Sequence, residues 1–208
     1  MEIMKIYHTL LFIFLFITAL SSKGQGVSIS PCVHFGDEIP AIREYNEKLE
    51  RLLSEGLNAD YIVRFIAKSS IEPEYVFQID EIDSSEFEIS TLTLRSNLWN
   101  TKNVDSIFCK KREIKEDLVV EISTLFKILI GSVSAKNAYG VGEGGITYNF
   151  FYSSEGTIRC GEVATHSKNS LLNEVIQVCD NLMQYAQGED IKLRDLCHKV
   201  KFIIKQIE

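Results

Sequence analysis

Apolar residues recur along this chain in two rhythms, one near 3.6 residues and one of two, and their order predicts the architecture. Ile42, Tyr45, Leu49, Leu52 and Leu53 form a helical stripe behind Asp37 and Pro40, with Gly56 as its stop, so a helix is predicted over 40–55. A second stripe, Leu118, Ile122, Leu125 and Leu129 with Val119, Phe126 and Val133 beside it, predicts a helix over 115–133. Glu113, Glu116 and Asp117 crowd its start, where the helix dipole favours negative charge. Two more stripes follow, over 168–186 (Leu171, Val175, Val178, Leu182, Tyr185) and 190–206 (Leu193, Leu196, Val200, Ile203, Ile204). The turn at Gly188 between them makes an antiparallel helical hairpin.

The period-two runs lie between these helices. Tyr61–Lys68 places Tyr61, Val63, Phe65 and Ala67 on one face. In Glu74–Asp80, Tyr75, Phe77 and Ile79 alternate with polar Glu74, Gln78 and Asp80, the pattern of a half-buried strand. Phe87–Leu94 changes phase, with Phe87 and Ile89 on one parity and Leu92 and Leu94 on the other. A bulge near Ser90–Thr91 would reverse the faces in this way. A short strand over 106–110 is the weakest of the set, and Ile146–Tyr152 with Thr157–Val163 forms a hairpin whose turn uses Gly156. The order α-β-β-β-(β)-α-β-β-α-α predicts an α+β fold: an antiparallel sheet of about five or six strands with helices mainly on one face.

Residues 1–24 stand apart from this pattern. Lys5 precedes an apolar run from Leu10 to Leu20, and Ser21, Ser22, Lys23 and Gly24 offer small residues before Gln25. That is the form of a cleaved secretory signal rather than an anchor. The expected organisation is a signal at 1–24, a polar leader at 25–36, and one α+β domain over 37–208. The expected location is outside the cytoplasm, periplasmic or secreted.

Charge and cysteine content narrow the partners. The 208-residue chain carries a formal charge of −7, and removing Lys5, Lys23 and Glu2 leaves it near −8. An acidic surface repels phosphate backbones and anionic lipids, so neither nucleic acid nor membrane insertion is expected. The basic cluster Lys110, Lys111, Arg112 is answered at once by Glu113, Glu116 and Asp117. Five cysteines are present without CxxC or other metal-type spacing. In an oxidising compartment they can pair or pack as small hydrophobes. Cys179 with Cys197, both on apolar stripes of consecutive helices, is the preferred pair.

Candidate chemistry is sparse. Gly140, Gly142, Gly144 and Gly145 stand between a helix and a strand, the reverse of the strand-to-helix order that aims amides at a phosphate. Cys160, Glu162 and His166 form the one close group of catalytic or metal-capable types. In extended chain they share a face, as a nucleophile–base pair or partial metal shell would require. Surface, helix-start and core roles explain the same three residues, and Gly161 could bulge the strand between them. No GxSxG occurs. No cofactor or metal is assigned.

Tyr148, Phe150, Phe151 and Tyr152 load both faces of one strand with rings. Such a strand is either covered twice or partly exposed for binding. The leading expectation is an exported, non-enzymatic protein-binding domain (inhibitor-like, immunity-type or accessory) for a partner protein, suited by its acidity to a basic one. Tyr139, Gly142, Glu143, Tyr148 and Tyr152 are its candidate surface. The alternative is a secreted hydrolase or metal-dependent enzyme using Cys160, Glu162 and His166.

Overall fold

The computed structural model describes residues 29–32, 39–101, 107–133, 145–164 and 170–208. Residues 1–24, read above as a signal, and Tyr139, Gly142, Glu143 and His166 lie outside the described residues. Among the described residues run β1 Ser30–Pro31, α1 Pro40–Gly56, β2 Val63–Ser69, β3 Tyr75–Asp83, β4 Glu86–Leu94, β5 Ile107–Ile114, α2 Glu116–Gly131, β6 Ile146–Ser154, β7 Thr157–Ala164, α3 Ser170–Gln187 and α4 Leu193–Ile207. The seven strands form one antiparallel sheet in the order β1-β7-β6-β2-β3-β4-β5. The α+β class is therefore the one observed, with one strand more than expected because the leader contributes β1.

Each hairpin has its local cause. Glu155 and Gly156, at φ 51° and 74°, turn β6 into β7. Two successive left-handed residues match the strands' own twist, and glycine takes that conformation without strain. β5 runs on to Ile114, well past the short strand its sequence suggests.

Two hydrophobic layers sandwich the sheet. On one face Val63, Phe65, Phe77, Ile79, Ile89 and Phe150 meet α2 and α3, and α4 packs over those two helices through Leu196, Val200, Ile203 and Ile204. On the other face Tyr45, Leu49 and Leu52 of α1 pack over Ile66, Val76, Leu92 and Leu94. Three helices thus share one face, as expected, and α1 takes the other.

This arrangement corrects the reading of β4. Its register with β3 is continuous from Phe87 to Thr93, with no bulge at Ser90–Thr91. The apolar parity changes because the strand passes from beneath the α2–α3 layer to beneath α1. The irregularity lies at Ile82, where Glu81 pairs with Phe87 and Asp83 with Glu86.

Covering both faces also buries polar positions that alternation alone would assign to solvent. Glu74 and Gln78 are fully buried, and Asp80 nearly so. The Glu74 carboxylate accepts the Leu98 N–H at 3.0 Å and Asn97 Nδ2 at 3.3 Å, which organises the turn after β4.

Candidate functional site

The antiparallel register gathers three connections at one end of the sheet: the loop before β2, the β3–β4 turn and the β5–α2 junction. Their exposed side chains include Asp60, Glu81, Asp83, Glu86, Glu113, Glu116 and Asp117. Seven carboxylates on one end of a small protein make a strongly negative patch.

Within it lies an open groove of about 530 Å³, lined by Asp60, Tyr61, Ile62, Glu81, Ile82, Asp83 and Ser84. Ile82 is the residue left over by the register shift, and it stands 54% exposed beside the carboxylates. A bulge re-aims a side chain in just this way. The groove wall is anchored by backbone bonds: Ile62 N–H donates to Ile79 O, and Ser153 N–H to Ile62 O, each at 2.9 Å.

A satisfied polar network underlies the groove. Asp80 accepts hydrogen bonds from Gln78 Nε2 at 2.8 Å and Asn58 Nδ2 at 3.0 Å. Gln78 Oε1 in turn accepts Arg64 Nη2 at 2.7 Å and Nε at 2.9 Å, and Arg64 Nη2 also donates to Asn58 O at 2.9 Å. The guanidinium lies 4.0 Å from the centre of the Tyr61 ring, a cation–π contact. Arg64 is thereby drawn inward, and the carboxylates at the groove's lip keep their negative field. The network can hold shape and charge, but it presents no activated nucleophile.

Burial gives the interior carboxylates a pH signature. Desolvation raises the Asp80 pKa against the opposing pull of Gln78, Asn58, Lys111 and Ser90. It also raises Glu74, despite the Leu98 N–H donating to it, and Asp180, despite the Tyr75 hydroxyl donating to it at 2.5 Å. A carboxyl whose folded pKa is raised binds its proton more readily in the folded chain, so acidification favours folding. We expect stability to rise as pH falls from neutral through these folded pKa values, levelling off once the ordinary carboxylate range is passed. Thermal melts at neutral and mildly acidic pH check this, and Asp80→Asn should flatten the dependence. An unchanged slope in that variant would remove Asp80 from the account.

The other sequence-derived candidates are redistributed. Cys160 is joined to Cys32 in a disulfide with Cα atoms 5.5 Å apart, so it supplies neither thiolate nucleophile nor metal ligand in this form. Glu162 sits on the same sheet face and accepts Asn149 Nδ2 at 3.1 Å. Gly161 does not bulge the strand; it pairs in register with Phe150 and Pro31. Among the described residues no three His, Cys, Asp or Glu side chains gather as a metal-binding set.

The preferred pair Cys179–Cys197 is not formed: both are free thiols, Cys179 fully buried and Cys197 half-buried. Their stripes face one core, but their heights differ. At 1.5 Å per residue Cys179 stands about 12 Å before the end of α3 and Cys197 about 6 Å into α4, so the two are not level along the hairpin.

Tyr148 is also corrected. It is 6% exposed and stacks on Phe65 at 5.7 Å, so it belongs to the core and not to a partner surface. Tyr152, half-buried, lines a separate pocket of about 280 Å³ with Lys127 and Arg159. The acidic groove itself had only a weak sequence signal, a run of charges at a turn. Its convergence with Asp60 and the β5–α2 junction depends on register. No family model, no curated protein and no solved structure matches the chain.

Proposed function

We propose that this chain is an exported, non-enzymatic protein-binding domain that captures a basic partner protein at the acidic end of its sheet. The observation that carries the reading is the groove walled by Asp60, Glu81 and Asp83, with exposed Ile82 set among them. Clustered charge of one sign steers an oppositely charged partner, and an apolar residue inside the cluster supplies contact area. Export is supported by the basic start and apolar run of residues 1–24. The Cys32–Cys160 disulfide fits the same compartment, because such bonds persist mainly in oxidising surroundings.

The test is affinity capture of the basic partner from the exported fraction, followed by measurement of binding to the purified pair. A Glu81→Lys, Asp83→Lys variant should bind at least roughly tenfold more weakly, and wild-type binding should fall with salt. Equal affinity in the charge-reversed variant, with its melting temperature retained, would sink the groove as the binding surface.

A further inference from the structure

Strand β5 closes the sheet, and among the described residues no strand pairs with its outer side. It is long for an edge, eight residues, and positions 108–113 are all exposed. A bare edge offers unpaired N–H and C=O groups to any extended chain, and lysines often guard such edges.

Here the cations are tied elsewhere. Lys110 Nζ donates to Gln187 O at 2.6 Å. Arg112 Nη1 donates to Tyr185 O at 2.9 Å and Glu189 O at 3.2 Å, with its guanidinium 4.0 Å from the Tyr185 ring centre. Both answer the C-terminal end of α3, where carbonyls and dipole favour positive charge. Lys111, on the opposite face, is bound to Glu88 at 2.8 Å. The three side chains are drawn to the flanks of the strand, which leaves its outer backbone clear. Phe108 shares the flank of Lys110 and Arg112 and is 56% exposed.

We infer that β5 is a docking edge that takes an extended acidic segment of a partner protein as an additional strand. Main-chain pairing would supply affinity, and alternate side chains would supply selectivity. With a period of two, carboxylates on the incoming strand come to lie beside Lys110 and Arg112, and an apolar residue covers Phe108. A second copy of this chain is the poorer occupant, since pairing two β5 edges brings Lys110, Lys111 and Arg112 beside their own copies with only Glu113 of each strand to offset them. Apart from Glu113 at its end, the edge is opposite in sign to the acidic groove, so this inference stands apart from that reading.

The experiment titrates the isotopically labelled full chain with an end-capped peptide of alternating glutamate and valine. Its controls are a lysine–valine twin and a backbone N-methylated twin. Amide shifts and slowed hydrogen exchange should centre on β5 with the acidic peptide and be absent with both twins. Lys110→Glu should weaken binding roughly fivefold. Phe108→Ser, at an exposed position, serves as a second variant with binding also reduced. Equal binding by either twin, shifts confined elsewhere, or no binding at millimolar peptide would overturn the inference. Self-association of the free protein through β5 would overturn the choice of occupant.

Discussion

Replacing Cys32 and Cys160 by serine should lower stability by about 5 kcal/mol, because the disulfide closes a very long loop. The bonded cysteines are 128 residues apart, and the span between them contains five of the seven strands whole and the first half of β7. In the chain-entropy view, freeing such a loop enlarges the unfolded ensemble, and the loss grows slowly with loop length. Two native contacts depend on the same tether. β1 contributes only Ser30 and Pro31 to the sheet, too little to hold itself against fraying, yet Ile29 beside it is fully buried in the main core. Gly161 makes room for it: a Cβ there would come 2.6 Å from Ile29 Cγ2 and 3.0 Å from Val133 Cγ2. The serine variant should therefore keep the β2–β6 centre of the fold while melting about 10–15 °C lower. Calorimetry of the double variant, and of wild type with and without reductant, measures this. Matching melting temperatures in oxidised and reduced wild type would overturn the expectation.

Truncating Phe65 to alanine should remove about 4 kcal/mol, the range for a fully buried ring. Phe65 stands on the central strand with no exposed surface, and four rings converge on it. Phe150 meets it edge-on at 5.2 Å, Phe77 stacks at 5.4 Å, Tyr148 at 5.7 Å, and Tyr75 lies tilted at 6.1 Å. Phe126 carries the same cluster into α2 through contacts to Phe150 at 5.4 Å and Phe77 at 6.5 Å. Neighbours held from several elements cannot collapse into the space, so most of the cavity should remain. Phe65→Leu, which fills much of that volume, should lose less than about 2 kcal/mol. Phe202→Ala, at a position 56% exposed, should change stability by no more than about 0.5 kcal/mol. Urea unfolding with unchanged slope compares the three. Similar losses at Phe65 and Phe202 would show that the aromatic cluster is not the centre of the core.

The parts of this fold that read clearly from the chain are those governed by neighbours a few residues away. The helix stripes and the β6–β7 hairpin formed close to their expected bounds. The phase change in β4 was visible too, but its cause was not: alternation reports a difference between two faces and does not say what covers them. For the same reason Gln78 and Asp80 looked solvated on β3, although Asn58, just after α1, and Arg64 of β2 close over them. The expected Cys179–Cys197 pairing failed for a related reason, since a stripe gives the face of a helix but not the height at which two helices meet. At the candidate site the acidic residues were individually plain. What the sequence could not display was their meeting at one sheet end, which follows from strand order and register.

The β2–β6 pairing also sets the order in which this chain can become safe. Val63–Ser69 finds its second neighbour only in Ile146–Ser154, so the four-strand meander must wait for a partner synthesised some eighty residues later. Until then β2 is a bare edge whose Phe65 lacks the Tyr148 and Phe150 rings of β6, and strand pairing across such a gap is intrinsically slow. A ribosome stalled after α2 would thus hold a fragment with both a sticky edge and an open aromatic surface, the combination that recruits chaperones or seeds aggregation.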